Sequence, residues 1–158
     1  MITATIKQIK DELKYKEKEE LVELCLSLAR FKKESKELLT YLLFEAQDEA
    51  SYISGVKAEI TEGFMDMNTS NIYFVKKSVR KILRETKKYI RYSKNKHTQA
   101  ELILHFLYEL KNAGSYLKKS TQLKNLYNRE LLSTKKVIKS LHEDLQFDFE
   151  VQLKELTV

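Results

Sequence analysis

The sequence predicts an all-α protein, a helical bundle or short α-solenoid of antiparallel helix pairs with about seven to eight helices. Three observations carry this. Proline is absent and glycine occurs only three times, so the residues that punctuate turn-rich sheets are almost missing. Apolar residues make up 42% of the chain and charged residues 33%, a balance that suits amphipathic helices and leaves enough apolar surface to fold. Apolar positions recur at intervals of three and four almost throughout, and no stretch alternates with period two for long. A chain of 158 residues suggests one domain, over 1–158, long enough to bury a core without disulfides or metal.

The first helix carries Ile6, Ile9 and Leu13 on one face, and the charged run KYKEKEE leads to a second. There Leu21, Leu24, Cys25, Leu28 and Phe31 make one stripe while Val22, Leu26 and Ala29 widen it, which implies burial on more than one side. Cys25, among Leu24, Leu26 and Leu28, reads as a core thiol, where burial suppresses the reactive thiolate. After KKES, Ser35 is the expected N-cap of a helix through Leu38, Leu39, Leu42 and Leu43. A further helix from about Asp48 carries Ile53, Val56, Ile60 and Phe64, and the segment MNTSN marks its end.

The helix that follows sets Val75, Val79, Ile82, Thr86 and Tyr89 on one face. Thr98 and Glu101 have the spacing of a capping box for the next, with Leu102, Ile103, Phe106, Leu107 and Leu110 behind it and Gly114 as its stop. Ser115 can cap a helix through Leu117, Leu123 and Leu126. The last stretch presents Ile138, Leu141, Leu145, Phe149, Leu153 and Leu156, with a break near Ser133. ELLTYLLFE (37–45) and ELILHFLYE (101–109) agree at four of nine positions. This raises a duplicated three-helix unit, a pseudo-repeat over 18–67 and 71–132 with terminal helices over 1–16 and 134–157. Leucine-rich helices also resemble one another by composition alone, and the echo by itself does not separate the two origins.

The catalytic inventory is thin, and no enzyme is expected. None of the three histidines sits in a zinc-site spacing, and the glycines are too scattered for a phosphate loop, so no cofactor or small-molecule ligand is indicated. Glu101, His105 and Glu109 fall on one helical face as a partial metal constellation, yet the Glu-x-x-His spacing of di-iron bundles is missing. Solvated carboxylates beside an edge histidine are the plainer reading. The longest apolar windows, LLTYLLF and LILHFLY, are too short to span a bilayer, and Lys7 and Lys10 interrupt the first sixteen residues. A cytoplasmic protein with no membrane partner is the expectation.

Charge is the one strong functional signal. From Lys76 to Lys96 stand ten Lys and Arg residues against Glu85 alone, a local +9 in a chain whose total is +6. Because the helix has an apolar stripe, the bases occupy its remaining circumference, and Lys77, Arg80, Lys81, Arg84, Lys87, Lys88, Arg91 and Tyr92 are the candidate partner-binding residues. From Glu45 to Asp66 the chain holds six acids and one base, Lys57. A short connection makes these segments antiparallel neighbours, so the acids can mute part of the basic field. The expectation is a helical scaffold presenting a basic flank to an acidic protein surface. The alternative is RNA or single-stranded DNA, with the bases on phosphates and a tyrosine stacking on bases.

Overall fold

Helices supply the regular structure of residues 1–157, the part of the chain described by the computed structural model, and no strand occurs among them. Chain length suggested one domain over 1–158; internal contacts group the residues into Met1–Phe44 and Glu45–Val158.

The first unit holds α1 (Ile6–Leu13), α2 (Lys18–Phe31) and α3 (Lys33–Thr40). Thr5 opens α1 with a capping box, its hydroxyl oxygen accepting from the Gln8 amide while the Gln8 side chain accepts from the Thr5 amide at 2.9 Å. Glu17 and Glu20 pair in the same way at the start of α2. An extended backbone at Lys32 (φ −145°) then breaks the helix, and α3 turns back to pack on α2. Ser35 is therefore not the cap: it lies inside α3, its amide already bonded to the Lys32 carbonyl at 3.1 Å. Cys25 is exposed, a second departure from the sequence reading. The apolar arc of α2 spans more than half its circumference, and α3 covers only part of that arc. After α3 a π-helical turn, Tyr41–Glu45, ends the hairpin.

In the second unit, α4 (Glu49–Met65), α5 (Ile72–Ser93), α6 (Lys96–Asn112), the single turn α7 (Tyr116–Lys119), α8 (Thr121–Lys139) and α9 (Glu143–Leu156) form a helical bundle. At its centre is α6, which packs against α4, α5, α8 and α9. Its sequence explains this place. Leu102, Ile103, Leu104, Phe106, Leu107 and Leu110 are all buried and span an arc of about 200°, more than half the circumference, as a helix with several neighbours requires. Phe106 lies 5.6 Å, centroid to centroid, from Phe64 of α4. The cross-helix pairs fix direction: Lys57 meets Glu101 and Thr61 meets Glu109, so α4 and α6 run parallel, with α5 antiparallel between them in the chain.

Three helix limits differ from those read in the sequence. Ser115 opens only the single turn α7, without a side-chain cap bond, and Ser120 caps α8 by accepting from the Leu123 amide at 3.3 Å, so no one helix runs from Ser115 through Leu126. Asn95, not Thr98, caps α6, its side chain accepting from the His97 amide at 2.9 Å. Thr98 is instead fully buried and donates, with Ser93, to the Glu49 carboxylate at the start of α4. A hydroxyl with a carboxylate in reach at the core is worth more there than on a helix amide. There is also no break near Ser133. The Thr134 hydroxyl bonds back to the Glu130 carbonyl at 2.8 Å, Leu131 and Ile138 are buried on either side, and α8 continues to Lys139. The last helix begins after His142, whose ring accepts from the Asp144 amide. Gly114 does close α6, at φ +113°, where a side chain would be strained. No helix among the described residues is long and apolar enough to cross a membrane.

Phe106→Ala should lower the free energy of unfolding in urea by about 3–5 kcal/mol, through lost transfer energy and a cavity beside Phe64. Thr98→Val should cost less, about 1–2 kcal/mol, because Glu49 keeps Ser93 as a donor.

Candidate functional site

The basic helix α5 is held at both ends by its own backbone chemistry. Asn71 caps its start by accepting from the Tyr73 amide at 2.9 Å, and Lys94 ends it in the left-handed region at φ +57°. Its buried stripe is Val75, Val79, Leu83, Thr86 and Tyr92. The sequence reading centred that stripe on Ile82 and Tyr89, which are half-buried; the axis of burial is rotated toward Leu83 and Tyr92. The rotation divides the bases between two flanks.

One flank faces α4. Gly63 lets the helices approach, since a Cβ there would stand 3.1 Å from Ile82. The Tyr89 hydroxyl donates to Glu59 at 2.8 Å, and the Tyr52 hydroxyl donates to the Tyr89 carbonyl at 3.0 Å. A cleft of about 630 Å³ along this seam is lined by Glu59, Glu62, Asp66 and Glu85, with Lys81 as its single base. Lys88 pairs with Glu85 at 2.7 Å and its ammonium stands 4.8 Å from the Tyr89 ring centre. On this side the field of α5 is cancelled.

The other flank faces α8. Arg80, Arg84, Lys87 and Arg91 recur at i, i+4, i+7 and i+11 and so form one row. Both α5 and α8 pack on α6 but not closely on each other, which leaves a groove of about 620 Å³ between them. Arg129 joins the row from the α8 side, with Gln122 and Asn125 beside it and Leu83 and Leu126 beneath. Arg80 donates to Gln122 at 3.1 Å and Lys87 pairs with Glu130 at 2.8 Å, so the two helices run parallel. Glu130 is buried, and it also receives Arg129 at 3.2 Å. One carboxylate thus stands against five cations. A concave surface of one sign concentrates its field toward solvent.

Of the eight residues singled out in the sequence, Arg80, Arg84, Lys87 and Arg91 meet in this groove. Lys77 is exposed on the outer face of α5, and Lys81 and Lys88 belong to the acidic flank. Tyr92 is buried and offers no stacking surface. Sequence reasoning missed Gln122, Asn125, Arg129 and Glu130. The polar positions 122, 125 and 129 do recur at helical spacing beside the stripe of Leu123 and Leu126, but a mixed polar face says nothing about which helix lies beside it.

The Glu101, His105, Glu109 row faces α4 and is fully engaged there. Lys57 pairs with Glu101. The Thr61 hydroxyl donates to Glu109 at 2.7 Å and lies 2.9 Å from His105 Nε2. With its one hydrogen given to the carboxylate, Thr61 accepts from Nε2–H, which fixes the tautomer of a neutral ring. Burial holds His105 below the ordinary histidine pKa, partly opposed by the Glu109 carboxylate. Among the described residues no group of three or more His, Cys, Asp or Glu side chains is arranged to hold a metal ion.

Comparison with known protein families, curated proteins and solved structures finds no match to this chain.

A histidine whose folded pKa lies below its unfolded one protonates first in the unfolded chain, so stability is complete above the ordinary histidine range and falls as pH drops below about 6.5. The urea midpoint should therefore drop between pH 7.5 and pH 5.5, values chosen to bracket about 6.5. In His105→Asn that drop should shrink. An unchanged drop in the variant would assign the pH dependence to other groups.

Proposed function

We propose that this chain is a non-enzymatic helical interaction module whose α5–α8 groove binds an acidic stretch on a protein partner. The observation that carries the reading is the segregation of charge on one helix. The bases facing α4 meet acids, whereas Arg80, Arg84, Lys87 and Arg91 face Arg129 and a single buried carboxylate. Guanidinium groups supply four of these five cations, and their planar forks suit carboxylates and phosphates alike. Two features favour carboxylates on a peptide. No aromatic side chain lines the groove, so the stacking platform that single-stranded nucleic acid needs is missing. The cation row from Arg80 to Arg91 extends about 16 Å along the helix, a length that three turns of an acidic helix can follow. Nucleic acid binding is the competing reading, supported by the arginine content alone. The non-enzymatic part rests on the engagement of Glu101, His105 and Glu109 by Lys57 and Thr61.

Fluorescence anisotropy separates the two ligand classes. A labelled Glu/Asp-rich peptide and a single-stranded RNA of equal charge would be titrated at about 0.15 M salt, where the Debye length is about 8 Å. The peptide should bind with micromolar affinity, and Arg84→Glu with Arg91→Glu should weaken it at least tenfold. The equal charge change Lys7→Glu with Lys10→Glu in α1 should leave it unaltered. Tighter binding of the RNA, lost in the groove variant, would transfer the site to nucleic acid.

Glu130→Gln gives a test of opposite sign. Removing the one acid in the groove should tighten peptide binding severalfold, while leaving Lys87 and Arg129 without their counter-ion lowers folding stability by about 1–3 kcal/mol. Binding unchanged by this substitution would place the ligand elsewhere.

A further inference from the structure

The first unit has apolar surface with nothing inside the unit to cover it. Of the twenty-one large hydrophobic side chains exposed among the described residues, fourteen lie in Met1–Phe44, and none of its three α-helices has a fully buried residue. A unit of this size normally needs a disulfide, a structural metal or association to be stable. Cys25 has no second thiol to pair with in the chain, and no metal-holding cluster exists among the described residues. Association remains.

We infer that α2 pairs with α2 of a second copy of this chain, antiparallel, making the protein a homodimer through its first unit. The apolar positions Leu21, Leu24, Leu28 and Phe31 alternate at three- and four-residue spacing, the seam of a two-helix pairing. In an antiparallel pair centred near Leu26, Leu24 meets the second copy's Leu28 and Leu21 meets its Phe31. The surface is self-complementary in shape. Phe31 is 87% exposed at one end of α2, and about 15 Å away along the helix an apolar cleft of about 350 Å³ lies at Leu21, bounded by Ile6, Ile9 and Leu13 of α1. Knob and cleft on the same surface are what a two-fold interface uses twice.

Charge agrees with a second copy as the occupant. Residues 1–44 hold nine bases and eight acids, a net +1, whereas the remainder of the chain carries the other +5. Part of the rim charge of α2 is met within the chain, by Lys16–Glu20 at 3.3 Å and by Lys32–Glu34 and Arg30–Glu23 at 4.0 Å. A stable interface covers about 800 Å² on each partner, an area within reach of fourteen exposed hydrophobic side chains.

Sedimentation velocity on the full chain at about 10–100 μM should give a dimer. Leu28→Glu and, separately, Phe31→Asp should raise the dimer dissociation constant at least about thirtyfold. Both residues are exposed in the single chain, so the variants should keep wild-type circular dichroism and sediment as monomers. Cys25 is the chain's only cysteine, and a short bismaleimide should link wild-type copies covalently but not the Leu28→Glu variant. A monomeric wild-type chain over that range, a dimer that survives both substitutions, or a dimer that Cys25 does not link would each overturn the pairing.

Discussion

The second unit depends on the enclosure of α6. A helix with four neighbouring helices must present a wide apolar arc, and α6 does. The partly buried polar row on that helix, Glu101, His105 and Glu109, then needs partners, because a partly buried carboxylate left unpaired costs several times what a paired one contributes. Lys57 and Thr61 of α4 provide them. That polar seam fixes how α4 is turned about its own axis.

The turning of α4 decides the electrostatics of its neighbour. Lys57 is the only base in the acidic segment, and once it is committed to Glu101 the side of α4 toward α5 carries acids alone. The same short loop that places α5 beside α4 therefore sets Lys81 and Lys88 in an acidic field and turns the opposite row toward α8. A lone basic helix would spread its charge around its circumference. Here packing on α6 takes one face, α4 neutralises a second, and the surplus is gathered into one groove. Glu130 has a place in this arrangement. Buried beneath Lys87 and Arg129, it moderates their mutual repulsion at the cost of part of the field.

Much of this was legible in the sequence, and the residues show where legibility ends. Period and spacing found the helices, the stop at Gly114, the opening at Asp48 and the apolar content of α6, because these are local properties of the chain. Thr98 could not be read correctly. As a cap it satisfies a local rule, but the carboxylate that claims it comes from Glu49, forty-nine residues away. Tyr92 failed for a related reason: periodicity gives the width of an apolar stripe but fixes its centre only to within about a residue's rotation, here the difference between Tyr89 and Tyr92 at the core. Arg129 was invisible as a site residue because the bases of α8 are spread along and around it, and nothing local says which of them lies beside α5. Cys25 is the opposite case. Its apolar surroundings were read rightly, and burial was inferred from them, although a stripe states a need for a neighbour and not that the same chain supplies it.

The two proposed interfaces would use different forces, and that would give them separate controls. A groove of exposed cations weakens with ionic strength as its field is screened beyond about 8 Å, while pairing through leucine and phenylalanine is insensitive to simple salt and is favoured by excluded salts such as sulfate. A dimer joined through the first unit carries two grooves. On the proposed function, a partner with two acidic stretches would bind the second one intramolecularly, with an effective concentration set by the spacer between them rather than by bulk solution. Modest affinity in a single groove would then be enough for tight binding by the pair, and it would preserve the salt sensitivity that lets a partner leave.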